Sequence, residues 1–192
     1  WSRDGWLLMG FECTDSGRIV LRVDEAERSM LRSLAQQVRD LVAPQAQSGS
    51  IDPLEAMVGI DPKARRPQDP ALARLLPDAY IGDDEAAADF RRFTERDLRR
   101  TKAAHAAAVL AHLERSGAKV VLSRDEANSW LGFLNDARLA LGTRIQITEE
   151  NHEELAELEQ DDPRFASFHV YNWLTYLQDS LLDALMDDAE PG

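Results

Sequence analysis

The residues of this chain that could do chemistry are scattered, and their spacing argues against most reactions. The four histidines stand at positions 105, 112, 152 and 169. His105 and His112 are seven residues apart and would share one helix face. Two helical turns separate them by about 10 Å, too far to hold one metal ion within the chain. No His-x-x-x-His pair and no Cys–His cluster occurs, so no metal and no other cofactor is expected. Acidic pairs such as Glu149-Glu150, Glu153-Glu154 and Asp161-Asp162 would act as acid and base only if burial drove their pKa values apart. They read instead as a charged surface, or as bait for a basic partner. Ser123 stands three residues before Glu126, the spacing of a helix capping box, so it needs no catalytic explanation. The glycines fall at predicted turns and helix ends and form no phosphate-binding loop. No catalytic residue is therefore singled out, and the chain is expected not to be an enzyme.

Cys13 is the single cysteine of the 192 residues, so no disulfide can form within the chain. It is the candidate redox residue. A reactive thiol needs a thiolate-favouring neighbourhood and a partner thiol. Arg18 is placed to help, whereas Glu12 and Asp15 oppose a thiolate.

Charge narrows the partners. Lys and Arg number 22 against 35 Asp and Glu, a net charge of −13. Nucleic-acid affinity depends on neutralising phosphates with cations, and the field of this chain repels a polyanion. Direct DNA binding is thus disfavoured, and basic or mixed protein surfaces are the favoured partners. The concentrated basic run is Arg91, Arg92, Arg96, Arg99, Arg100 and Lys102. Glu95 and Asp97 interrupt it, which suits a solvated helix face laced by pairs three and four residues apart. A contact for acidic protein, or an intersubunit match to the acidic loop, is the next reading, and nucleic acid the last. No apolar run reaches the ~18 residues of a membrane span. The start, Trp1-Ser2-Arg3-Asp4, lacks a basic region followed by an apolar one, so the cytoplasm is the expected compartment.

The elements that would carry these residues are mostly helical. Residues 1–23 read as a β-hairpin: Trp6–Cys13 and Arg18–Val23 flank the turn signal Thr14-Asp15-Ser16-Gly17. Two strands alone are marginal, so the hairpin must lean on helices. Residues 24–43 form a helix with capping-box spacing at Asp24 and Glu27, its stripe being Ala26, Met30, Leu31, Leu34, Val38, Leu41 and Val42. Residues 44–82 read as a Pro-rich linker with short helices, and 83–188 as the helical core. Four of the eight prolines follow an aspartate. Asp caps helices, and Pro fits the first helical position, so helices are predicted to start at Pro53, Pro70 and Pro163. Asp61-Pro62 reads as a turn. A helix is predicted from Asp84 to Ser116, kinked or split near Arg99-Arg100. A brief extended segment, Lys119–Leu122, precedes a helix that stops at Gly142, and Thr143–Thr148 is read as extended. The last helix, Pro163 to about Asp187, is apolar nearly all round, as expected of a central core helix or a subunit interface. The fold class expected is mainly α: one domain, a helical bundle with a small N-terminal β-hairpin packed on it.

Three stretches in series carry a resemblance. They are Arg66-Pro67-Gln68-Asp69-Pro70-Ala71-Leu72-Ala73-Arg74-Leu75-Leu76-Pro77-Asp78-Ala79-Tyr80, then Asp125–Trp130 with Asn135-Asp136-Ala137-Arg138-Leu139-Ala140-Leu141-Gly142, and then Phe168-His169-Val170-Tyr171-Asn172-Trp173-Leu174-Thr175-Tyr176-Leu177-Gln178. In order and spacing the chain resembles an actinobacterial family of domains of unknown function that includes an oxidative-stress transcriptional regulator. The resemblance implies a cytosolic regulator that senses oxidation through cysteines and works with an alternative sigma factor of RNA polymerase. With Cys13 alone, either sensing uses a bond between subunits or this member does not sense oxidation by thiols.

The expected activity is therefore transcription regulation through protein contact, by a homodimer. Candidate partner-binding residues are Arg66, Asp69, Arg74, Asp78, Tyr80, Asn135, Arg138 and Trp173. Pro67, Pro70 and Pro77 would keep the first group pre-shaped and lower the entropy cost of docking. Polar residues inside apolar helices, Asn135 and Arg138 among them, read either as a network fixing helix register or as a recognition surface. The rival readings are a direct DNA-binding regulator with a hidden basic face, and an enzyme of unrecognised type with a deep polar pocket.

Overall fold

The computed structural model of the chain describes residues 10–43, 66–80, 82–115 and 117–187. The expected strand residues before Gly10, the helix start at Pro53, the turn at Asp61-Pro62 and the helix end at Ser116 lie outside the described residues. Among those described, the fold is mainly helical, with a small sheet near the N-terminus packed on helices. In chain order the elements are β1 (Phe11–Cys13), β2 (Ile19–Arg22), α1 (Glu25–Val42), α2 (Pro70–Leu75), α3 (Asp84–Arg115), β3 (Lys119–Leu122), α4 (Arg124–Arg144), α5 (His152–Ala156) and α6 (Phe165–Asp187).

The hairpin does not lean on helices alone. The extended segment before α4 returns to it, giving an antiparallel sheet of order β1-β2-β3. Cys13 pairs with Ile19 across the first ladder, and Ile19 with Leu122 across the second. Alternation sends Ile19, Leu21, Val120 and Leu122 inward and leaves Val121 outside. The inner face meets α4, where Phe11 sets its ring edge-on to Trp130 at 5.6 Å.

Helix α1 begins at the Asp24 cap, with the reciprocal Glu27 bond in place. Its buried stripe differs from the expected one: Ala26 and Met30 are exposed, and Arg28, Leu31, Ala35, Val38 and Val42 face inward. Those five follow a strict three-four spacing, with an arginine in the first position. Helix α3 runs unbroken through Arg99-Arg100 for 32 residues, about 48 Å at 1.5 Å per residue. Helix α1 lies antiparallel along its C-terminal part. Helix α4 packs between α3 and α6, and α2 covers Leu139 and Ala140 on α4 with Leu72, Leu75 and Leu76.

Two helix boundaries depart from the sequence reading. Helix α4 passes through Gly142 to Arg144, and the stretch after it is not extended. Gln146 adopts a positive φ of 55° and the Ile147 amide bonds the Gly142 carbonyl at 2.9 Å, so Gln146 does the job usually given to glycine. Gly142 is there for space: a Cβ on it would lie 2.9 Å from Ile147 Cγ2 and 3.0 Å from Tyr171 Cε2. Helix α6 starts at Phe165, two residues beyond Pro163. The Asp162 carboxylate takes the Arg164 amide at 2.7 Å and closes a turn first. Nor is α6 buried all round. Phe168, Trp173, Leu174, Leu177, Leu181, Ala184 and Leu185 face the core, while His169, Asp179, Asp183 and Met186 are exposed.

Four arginines close helix C-termini from neighbouring elements. Arg28 of α1 donates to the carbonyls of Leu113, at 2.5 Å, and of Gly117, at the end of α3. Arg99 of α3 donates to Val42 and Ala43 at the end of α1, each at 3.3 Å. Arg91 reaches the Leu76 carbonyl after α2 at 3.4 Å, and Arg124 the Leu185 carbonyl in the last turn of α6 at 3.0 Å. The last carbonyls of a helix lack intrahelical donors and carry partial negative charge, so a guanidinium satisfies both needs.

Candidate functional site

The Arg66–Tyr80 segment is built around α2. Asp69 caps it: its Oδ1 accepts the amides of Ala71 and Leu72 at 2.8 and 3.1 Å. Its other oxygen takes a bond of 2.6 Å from Arg144 at the end of α4. The Arg144 guanidinium and these amides hold the Asp69 carboxyl below the usual carboxylate range. Asp78 joins Arg66, at 3.5 Å, to the buried guanidinium of Arg91. Arg91 passes to Glu95 at 3.1 Å, and Glu95 to Arg99 at 2.7 Å. An alternating ladder Arg66–Asp78–Arg91–Glu95–Arg99 thus ties the linker, α2, α3 and the end of α1 together. The basic run is therefore not a plain solvated face. Arg91 is buried and Arg99 is half-buried, and both act inside the fold, whereas Arg92, Arg96 and Arg100 remain outside.

Of the eight candidate residues, the structure brings Arg66, Asp78 and Tyr80 to the N-terminal half of α3. Tyr80, 51% exposed, sets its ring edge-on to Phe90 at 6.1 Å. Arg74 is exposed on α2 nearby, and Asp69 faces the end of α4. Asn135 and Arg138 do not act as a pair. Asn135 supports Asp136, a buried carboxylate bonded to Lys102 at 2.6 Å. Burial pushes the Asp136 carboxyl up, and the Lys102 ammonium opposes that shift. Arg138 turns to α6, its guanidinium carbon 6.0 Å from the Tyr171 ring centroid, with a buried Nε that has no bonding partner. Trp173 requires correction as a contact residue. It is 6% exposed and belongs to the main core, so it shapes the fold from within and offers no surface. Cys13 ends β1 half-exposed, with its Sγ 3.6 Å from the Thr14 carbonyl. Among the described residues no group of three or more His, Cys, Asp and Glu could hold a metal ion, and no helix is long and apolar enough to cross a membrane.

Sequence reasoning missed a second polar centre. His112 is buried between α3 and α4. Its Nδ1 accepts the Trp130 indole N–H at 3.1 Å, and its Nε2 donates to Glu126 at 3.1 Å. Both bonds are satisfied by a neutral ring protonated at Nε2. The other Glu126 oxygen accepts the Ser123 amide at 2.7 Å, so one carboxylate serves the cap and the core histidine together. The bonds from Ser123, then from His112, hold the Glu126 carboxyl down to about 2. The only signal in the sequence was the capping box; the partner lies on another helix. Also missed were the exposed rings of α3: Phe93 is 60% exposed and Phe90 46%.

Comparison with known proteins identifies the chain's relatives. The family described as "Domain of unknown function (DUF2017)" matches residues 9–185. The "Oxidative stress regulator AosR" of Mycobacterium tuberculosis (strain ATCC 25618 / H37Rv) is 33% identical over 189 residues, covering 91% of this chain and 85% of that protein. The protein of the same name from Mycobacterium bovis (strain ATCC BAA-935 / AF2122/97) matches to the same extent. A relative from Mycobacterium leprae (strain TN) is 34% identical over 174 residues, 83% of this chain and 79% of its own length. No solved structure matches the chain significantly. The resemblance read from the three sequence stretches holds, and these relatives are named as regulators, not as enzymes.

Proposed function

The chain belongs to the DUF2017 family, and from that premise we propose that it is an oxidative-stress transcription regulator that works by protein contact. One observation carries the reading: identity of 33% across 91% of the chain with proteins named oxidative stress regulators. The partner class is an alternative sigma factor of RNA polymerase, and the contact surface is the Arg66–Tyr80 segment. What supports the placement is that the ladder from Arg66 to Arg99 fixes this corner before any partner arrives, which lowers the entropy cost of docking. The charge supports protein over DNA. The chain carries −13, and Arg28, Arg91, Arg99 and Arg124 are committed to helix ends. The chain acts as a homodimer in the cytoplasm. Where sensing here uses thiols, Cys13, the single cysteine of the 192 residues, contributes through a bond between two chains.

The test is to delete the gene in its source organism and challenge the cells with peroxide and with a thiol oxidant. Loss of an oxidant-induced set of transcripts is expected, restored by the wild-type chain and not by an Arg74→Glu, Tyr80→Ala variant. An unchanged transcript profile under both oxidants refutes the regulatory reading.

A further inference from the structure

We propose that two copies of the chain pair antiparallel through the outward face of α3, about a two-fold axis at Phe93. Residues 85, 89, 93, 96 and 100 recur at spacings of three and four and line one side of the helix. All five are exposed. Read along that line they are Glu85, Asp89, Phe93, Arg96 and Arg100: two acids, an aromatic ring, two bases. Two copies aligned in parallel would set acid on acid and base on base. Turned antiparallel about the ring, Glu85 of one copy faces Arg100 of the other and Asp89 faces Arg96, with both relations repeated by symmetry. A two-fold interface demands a patch complementary to itself, and an order that changes sign about its centre meets that demand.

The apolar content lies at the axis. Phe93 is 60% exposed and Phe90, beside it, 46%. Aromatic rings at the centre with charges outside is the usual order of an interface, where the ring supplies energy and the charges supply register. Two of the charges on this line make short intrahelical pairs, Asp89 with Arg92 at 3.2 Å and Arg100 with Asp97 at 3.1 Å, with well-exposed partners. Such pairs contribute little and exchange readily for a new partner. Elsewhere the net charge of −13 keeps copies apart, so this run of cations is the place where a second acidic chain can approach.

The inference rests on the self-association in the proposed function and not on its regulatory part. The experiment reads mass alone. Sedimentation equilibrium of the full chain at about 50 mM salt is expected to show a dimer, and Phe93→Ala to weaken it at least tenfold, as a central aromatic anchor should. Two charge variants complete the test: Glu85→Arg with Asp89→Arg, and Arg96→Glu with Arg100→Glu. Each alone is expected to be monomeric with unchanged circular dichroism, since the positions are exposed. Mixed in equal amounts, they are expected to form a heterodimer. A monomeric wild type, a charge variant that dimerises like the wild type, or a mixture that stays monomeric overturns the proposal. Binding of the regulatory partner by the monomeric variants is a separate measurement, so failure here leaves the regulatory reading to its own test.

Discussion

Replacing Arg28 by methionine tests whether a buried arginine closes the long helix. Arg28 is 6% exposed, and it has no carboxylate partner among its described contacts. Its guanidinium serves two carbonyls at the end of α3, those of Leu113 and Gly117. Methionine keeps most of the aliphatic stem in the α1 stripe and removes both donors. Each lost bond to a charged group costs about 1.5–3 kcal/mol, and loss of a cation at a helix C-terminus adds about 0.3–1. Returning the guanidinium to water in the unfolded chain recovers part of its burial cost only when it is present, so that cost no longer opposes folding in the variant. The net loss expected is about 2–4 kcal/mol. Arg22→Met is the control: its ion pair with Glu12 is 56% and 58% exposed, and a change within about 0.5 kcal/mol is expected. The assay is urea unfolding at neutral pH, followed by circular dichroism and by tryptophan fluorescence. Trp130 is fully buried and reports loss of the core. An Arg28→Met loss no larger than that of Arg22→Met would refute the reasoning and show that water or the backbone satisfies the end of α3.

Trp173→Ala is expected to cost about 3–5 kcal/mol in the same assay, because its ring sits in the main core; a near-neutral change would place the ring at the surface. Glu126→Gln tests the centre shared by the cap and His112. The folded carboxyl titrates at about 2, below its ordinary 4.5, so its contribution is complete above about pH 4.5 and is lost as pH falls towards 2. The variant is expected to be less stable at pH 7 and to show a shallower fall in stability between pH 5 and 2, measured by thermal melts across that range; parallel curves would contradict the assignment. Cys13→Ser is expected to leave the melting temperature and the dimer unchanged under reducing conditions, because the thiol is half-exposed and makes no strong bond. Dissociation of this variant by oxidant, with the wild type intact, would contradict that reading.

What was legible in the sequence was local. Asp24 with Glu27 and Ser123 with Glu126 announced two helix starts because both partners of each cap lie within four residues. Asp69-Pro70 did the same for α2, and Leu139 and Ala140 beneath it were already apolar. Asp162-Pro163 misled because the Asp162 carboxylate bonds Arg164 and makes a turn before α6 can begin. Gly142 misled because glycine serves close packing as well as helix ends, and here Tyr171, on another helix, decides which. The stripe of α1 was misread by polarity: Arg28 looked like a surface residue, and its partners lie 85 and 89 residues away. The pairing of β3 with β2 was hidden for the same reason. At the candidate surface, types and positions were visible, but not which arginines of the basic run would turn inward. That depended on Asp78, Glu95 and the end of α1. Trp173 stood beside polar neighbours in sequence and faces the core in space.

The central claim is that this acidic chain regulates by touching protein and not DNA. The direct measurement places the purified chain, immobilised, before an alternative sigma factor of its source organism and before promoter duplexes, at about 50 mM and at about 200 mM salt. Saturable binding of the sigma factor, weakened by Arg74→Glu with Tyr80→Ala, and no binding of duplex at either salt is the predicted result. Duplex binding at low salt that collapses steeply at the higher salt, with the sigma factor passing unbound, would contradict the account.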